Sequence, residues 1–161
     1  MLVDPLRRVL HPYRFCASGM GALFVVFLLS VPVRADIDSV RADTPAELRD
    51  KSNPLETGPE ELAKAGDFYL QNCALCHGND GKGRGPASRA LRPRPMKFTD
   101  AELMARVSDG ELFHAISAGS HGTAMPPFGD RLTETEIWHL VTFVRGFSRE
   151  GEQKTSEEAG K

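Results

Sequence analysis

Three residues at fixed spacing, Cys73, Cys76 and His77, form the local run in this chain with the most specific chemistry. On a helical turn, positions i, i+3 and i+4 share a face, so two thiols and an imidazole point the same way. Thiols so placed reach the two vinyl groups of a haem while the imidazole meets the iron from one side. Other chemistries compete for the same residues. A thioredoxin-like dithiol belongs at a helix start after a strand, whereas this pair closes a helix with no strand nearby. A zinc site needs a fourth ligand, for which His114, His121 and His139 are the candidates, and there is no second Cys-x-x-Cys. A disulfide between these positions is sterically poor and leaves the histidine unexplained. Covalent haem attachment accounts for all three residues.

A six-coordinate iron needs a second axial ligand from far along the chain, and Met96, Met104, Met125, His114, His121 and His139 are available. Met125 is favoured. It lies in Gly119-Ser-His-Gly-Thr-Ala-Met-Pro-Pro-Phe128, where paired prolines stiffen the backbone and glycines permit close approach to a flat ring. Stiffness matters because a thioether is a weak ligand. His121 is the rival, giving bis-histidine ligation and a lower potential. Met104 reads as packing in a short helix, Met96 is open, and His114 and His139 read as structural histidines.

The elements that must position these groups are helical. Thr57-Gly-Pro-Glu60, Thr99-Asp-Ala-Glu102, Ser108-Asp-Gly-Glu111 and Thr133-Glu-Thr-Glu136 each set a hydroxyl three residues before a Glu, the reciprocal pattern of a helix start. Leu62, Ala65, Gly66, Tyr69 and Cys73 then recur at helical spacing, as do Ile137, Leu140, Val141 and Val144. Two shorter helices are expected over 101–107 and 110–118. No stretch alternates with period two for long enough to build a sheet, so the fold is expected to be all-α with about four helices. Residues 78–95 between the first two are too rich in Gly and Pro for regular structure. A loop of that length is functional or disordered, and if ordered something must hold it.

The chain has 161 residues, 20 basic and 22 acidic, a net charge of −2 and three cysteines. That is one domain's length and too few cysteines for a disulfide scaffold. Residues 1–35 read as an export signal: Arg7, Arg8 and Arg14, then an apolar run from Met20 to Val31, then Val33-Arg34-Ala35 at a cleavage site. The alternative is an uncleaved anchor, although the run is shorter than the roughly 20 apolar residues a spanning helix needs. Cys16 leaves with the signal. Cleavage leaves 126 residues with 16 basic and 21 acidic, a net charge of −5, which disfavours nucleic acid and anionic lipid as partners. The compartment is then periplasmic and oxidising, where two remaining thiols must be paired, metal-bound or capped. Residues 36–56 read as an extended arm with at most a short helix after Thr44-Pro-Ala-Glu47, residues 57–147 as the folded domain, and residues 148–161 as a disordered tail.

With these residues in place the chain resembles the single-haem class I c-type cytochromes, exported bacterial electron carriers. The resemblance covers roughly residues 57–147 and rests on Tyr69, Cys73-Ala-Leu-Cys76-His77-Gly78, Gly85-Pro86, Met125-Pro126 and a final helix with Phe143. It implies a cytochrome c-like fold around one covalently attached haem c, with Cys73 and Cys76 as attachment points and His77 and Met125 as iron ligands. It implies that the first and last helices cross at Ala65 or Gly66 against Leu140 and Phe143. It also implies a proline carbonyl, with Pro86 as the match, holding the Nδ1 proton of His77.

From Lys82 to Lys97 there are six basic residues and no acid. That loop reads either as a docking patch or haem-propionate clamp, with Arg92 and Arg94 as the propionate partners, or as a solvated face. Trp138 either edges the haem or packs on the last helix. Leu75, Phe98, Phe113, Ile116 and Phe128 are expected to bury the haem.

The function implied is one-electron transfer between exported or membrane redox enzymes, with both axial sites filled and therefore no small-molecule substrate and no catalysis of its own. The alternative is a haem c subunit of a larger exported dehydrogenase or oxidase complex. Partners are a dehydrogenase, oxidase or reductase, met as a monomer or as part of a complex. An enzyme such as a peroxidase needs an open iron site, and a single attachment motif argues against the two-haem type.

Overall fold

In the computed structural model, residues 41–159 are described. The export signal over 1–35 lies outside the described residues, as does the start of the arm at 36–40. The elements are α1 (Ala46–Arg49), α2 (Pro59–Asn72), α3 (Ala74–His77), a 3-10 turn (Ser88–Ala90), α4 (Ala101–Ala105), α5 (Asp109–Ala118) and α6 (Glu134–Ala159). Among the described residues there is no strand, in keeping with the missing period-two alternation. The four expected helices correspond to α2, α4, α5 and α6.

Two of the four expected caps form. Ser108 accepts from the Glu111 amide at 3.0 Å while the Glu111 carboxylate accepts from the Ser108 amide at 2.8 Å. Thr133 and Glu136 make the same reciprocal pair at 3.3 and 2.8 Å. The Thr57 and Thr99 runs differ. α2 starts at Pro59, after Gly58 at the cap position, and at that first position the missing amide costs nothing. The Thr57 hydroxyl is drawn instead to Thr142 (2.9 Å) and His139 (3.0 Å) on α6. α4 is capped by Asp100, one residue after Thr99, whose carboxylate accepts from the Leu103 amide.

α2 and α6 cross at the centre. Their buried faces supply Ala65, Gly66 and Tyr69 against Ile137, Leu140, Val141 and Val144. At the crossing, a Cβ added to Gly66 would lie 2.9 Å from Cε2 of Phe143, so the ring rests directly on the α2 backbone. Leu62, expected on this stripe, is 38% exposed, because the buried face turns through Ala65, Gly66 and Tyr69 instead. Gly66→Val is expected to destabilise the holoprotein by about 1–3 kcal/mol, since overpacking at this contact outweighs the few tenths gained in helix propensity. Denaturant midpoints of the two proteins measure this, and an unchanged midpoint would show that Phe143 yields freely.

The arm carries one short helix, α1, and is seated on the domain. Thr44 is buried and Leu48 packs against the core. The Lys51 carbonyl accepts from the Gly110 amide at 2.9 Å, and the Asn53 amide donates to Asp109 at 2.9 Å. Asn53 Nδ2 reaches the Trp138 carbonyl and Thr142, both at 2.9 Å. This approach depends on glycine: a Cβ at Gly110 would fall 1.8 Å from the Leu48 carbonyl oxygen.

α6 runs on to Ala159, through residues expected to form a disordered tail. Residues 148–159 are mostly Glu, Lys, Gln, Ser and Ala, and extending a helix already nucleated by packed turns is far easier than starting one. Gly146 and Gly151 each weaken it by only about 1 kcal/mol relative to Ala. Inside the fold, Arg145 of α6 pairs with Asp109 at 2.7 Å and donates to the carbonyls of Met104 and Val107. It thereby ties the end of α4 to α6.

Candidate functional site

α2 ends against Cys73, and α3 begins at once. The amides of Cys76 and His77 both donate to the Cys73 carbonyl, at 3.1 and 2.9 Å, so the three reactive side chains occupy a single helical turn. The chain then leaves through Gly78, whose φ of +83° is a conformation that favours glycine. The fully buried Tyr69 donates its hydroxyl to the Gly78 carbonyl at 2.8 Å and fixes this exit to α2.

The glycine-rich loop is ordered because its amides answer the open carbonyls of the turn above it. Gly83 donates to His77 (2.7 Å), Gly85 to Cys76 (3.0 Å) and Ala87 to Leu75 (3.0 Å). A Cβ at Gly85 would lie 2.3 Å from the Leu75 oxygen, so the loop packs as closely as backbone allows.

Cys73, Cys76 and His77 line one cleft, and both thiols are free. Burial pushes the Cys73 thiol up to about 11, with the neighbouring Cys76 adding to the shift. The His77 ring stacks on Phe98, centroids 4.5 Å apart and 12° from parallel. Its Nδ1 lies 3.2 Å from the Met96 carbonyl oxygen. A carbonyl only accepts, so Nδ1 carries the proton and Nε2 keeps a free lone pair. Burial also lowers the His77 pKa, which favours the neutral, ligand-competent ring.

Met125 reaches the same cleft from the segment after α5. That segment is folded on itself: Ser120 donates to the Met125 carbonyl (3.3 Å), and the Met125 amide donates to the Thr123 hydroxyl (3.1 Å). Gly119, with φ of +80°, starts the turn. The rival His121 is exposed and does not line the cleft, and neither do His114 and His139. Met104 is buried in the core.

Several expectations are revised. Pro86 is exposed and off the cleft, and Met96 supplies the carbonyl assigned to it, because the loop carries Met96 back to His77. Arg92 is exposed, off the cleft, and occupied with the carbonyls of Arg89 (3.0 Å) and Leu91 (2.6 Å). Arg94 does line the cleft. Leu75 is 60% exposed, since position i+2 of the motif turns away from the face shared by Cys73, Cys76 and His77. Phe98, Ile116 and Phe128 line the cleft as expected, whereas Phe113 lies behind it, stacked on Trp138 at 4.4 Å. Leu112 of α5 is also a wall residue, as are Leu140 and Val144, which were expected only in helix packing.

The residues fit a haem. The cleft encloses about 1210 Å³, a figure that includes its open mouth. Its walls are almost wholly apolar apart from the motif, Asn72, Arg94, Ser120 and Thr123. A zinc reading is not supported, because among the described residues no three His, Cys, Asp or Glu side chains gather around a common point.

Comparison with known proteins points the same way. Residues 60–144 match the family model described as cytochrome c oxidase, cbb3-type, subunit III. The chain is similar to the cytochrome c subunit of the quinone alcohol dehydrogenase of Gluconobacter oxydans, 33% identical over 81 residues covering 49% of this chain and 17% of that protein. It is also similar to the cbb3-type cytochrome c oxidase subunit FixPc of Rhizobium leguminosarum bv. viciae, 31% identical over 93 residues, 58% of this chain and 29% of that one. The chain therefore spans well under half the length of these relatives. Among solved structures, a chain of the reducing HAO-like protein complex of Kuenenia stuttgartiensis shares the fold, with a TM-score of 0.52, 24% identity, and coverage of 58% of this chain and 46% of that one.

Proposed function

The chain belongs to the family described as cytochrome c oxidase, cbb3-type, subunit III, and from that premise we propose that it carries single electrons on one haem c, joined to Cys73 and Cys76 and held by His77 and Met125. The observation that carries this reading is the convergence in one apolar cleft of two free thiols, an imidazole with its Nε2 lone pair free, and a thioether from a separate segment. A haem held by these residues would supply ferric–ferrous one-electron exchange. The protein's own work is positional. The Met96 carbonyl holds the Nδ1 proton and so the ring orientation of His77. Phe98 stacks on that ring and limits its rotation. Leu112, Ile116 and Phe128 exclude water, and a thioether with apolar surroundings favours the ferrous state. With the iron held by both His77 and Met125, no position would be left for a substrate, so the chain would act as a carrier and not as an enzyme.

A second reading, a haem c subunit within a larger exported dehydrogenase or oxidase complex, is favoured by the relatives, which are named as a cytochrome c subunit of a dehydrogenase and as a subunit of an oxidase. Export to the periplasm belongs to the proposal under either reading. No helix among the described residues is long and apolar enough to cross a membrane. The test is to express the full chain with a haem-attachment system, then record a haem-stained denaturing gel and a visible spectrum. Covalent colour and a methionine-to-iron band in the red support the proposal, and a colourless secreted chain with two titratable thiols overturns it. Size-exclusion with candidate enzymes separates a free carrier from a stable subunit.

The side chains of Lys82, Arg84, Arg89, Arg92, Arg94 and Lys97 are all exposed, and Leu91, Pro93, Arg94 and Pro95 of that loop border the cleft. We take the docking partner's face to be acidic. The reduced protein should then lose rate with ferricyanide as ionic strength rises from about 0.01 to 0.15 M, because the screening length shrinks from about 30 to 8 Å. Stopped-flow oxidation measures this. A cationic cobalt(III) oxidant should show the opposite slope. If both oxidants instead follow the chain's net negative charge, the loop is only a solvated face.

A further inference from the structure

We propose that Arg131 is a positioning residue: it latches the segment carrying Met125 onto the end of α2, next to Cys73. The segment after α5 is tied to α5 by backbone, with Phe128 donating to the Ile116 carbonyl at 3.0 Å and Gly129 to that of Ser117 at 2.9 Å. Its hold on α2 runs through side chains. Phe128 meets Phe68 edge to face, centroids 5.7 Å apart and 81° between planes. The Arg131 guanidinium lies 5.6 Å from the Phe68 centroid and 5.5 Å from that of Phe128, attracted to both rings at once. It also donates to Asn72 Oδ1 at 2.9 Å. Asn72 Nδ2 donates to the Phe68 carbonyl at 2.9 Å, which sets the amide so that its oxygen faces Arg131.

Phe68, Asn72, Met125 and Phe128 all line the cleft, while Arg131 is exposed and stands outside it. The arginine therefore acts on the site through these residues. A single exposed ion contact is weak, but one planar group here engages two rings and an amide together, and arginine's rigid fork loses little freedom in doing so. Loosening the latch frees the 119–131 segment at its α2 end while its α5 anchors remain. The local result is more frequent withdrawal of Met125 from the cleft. This inference rests on the proposed role of Met125 as a ligand.

The test uses the ferric holoprotein, with imidazole as the competing ligand and amide hydrogen exchange over residues 120–127 as a separate readout. Arg131→Gln is expected to bind imidazole about tenfold more tightly than wild type, the loss expected from two ring contacts. Exchange over 120–127 should quicken by a similar factor, with the denaturation midpoint and the exchange of α2 and α6 unchanged. Arg131→Lys should recover part of both effects, keeping charge and hydrogen bond without the flat stack. Unchanged exchange over 120–127, or faster exchange throughout the protein, overturns the latch. If exchange quickens locally yet wild type shows no methionine-to-iron band, the latch stands and the assignment of Met125 falls.

Discussion

Exporting the chain with Cys73 and Cys76 both replaced by serine is expected to abolish covalent haem altogether. The denaturing gel should lose its haem stain completely, because serine hydroxyls do not add to the vinyl groups as thiols do. A single replacement should leave one linkage and a shifted, weaker band. The loss reaches beyond colour. The cleft is walled by Phe68, Leu112, Ile116, Phe128, Leu140 and Val144. Unfilled, those walls face water, and exposing even one large apolar side chain costs about 1.5–3 kcal/mol. The double variant should therefore unfold well below the wild-type temperature in circular dichroism. If the serine variant still carries haem through denaturation, attachment does not run through these sulfurs.

Replacing Met125 by histidine has the next largest expected effect. The variant should stay coloured, lose the methionine-to-iron band, and fall in midpoint potential by more than about 100 mV, within the roughly 0.8 V that axial ligands span. The direction follows from ligand chemistry. A thioether favours ferrous iron, whereas a second imidazole stabilises ferric iron. His121→Ala is the matched control and should change neither band nor potential, because His121 is exposed and off the cleft. A potentiometric titration showing Met125→His unshifted and His121→Ala shifted would reverse the ligand assignment.

Legibility from sequence followed the range of the interaction concerned. Cys73, Cys76 and His77 could be read together because one helical turn brings them together whatever surrounds it. The caps at Ser108 and Thr133 are equally local and form as expected. Thr57 and Thr99 carry the same pattern, yet one is claimed by Thr142 and His139 of α6 and the other yields to Asp100 beside it. Leu75 could have been placed correctly from the motif's own geometry, since the shared face excludes position i+2. Pro86 could not: whether its carbonyl or that of Met96 meets His77 depends on the path of a loop held by the amides of Gly83, Gly85 and Ala87. The docking of the arm was hidden for a related reason. Its polar sequence reads as extended with at most a short helix, and only the bare backbone at Gly110 and the hydrogen bonds of Asn53 reveal a seat for it.

The amino-acid order alone determined the helical class, the reactive turn at 73–77 and the choice of Met125 as a candidate, because each rests on covalent spacing or on neighbours within one or two turns. Tertiary structure decided which carbonyl steadies His77, which basic side chains border the cleft, how Arg131 bridges Phe68 and Phe128, and how far α6 continues. Those outcomes depend on contacts between segments tens of residues apart, where several partners of similar chemistry compete and small differences in packing select one.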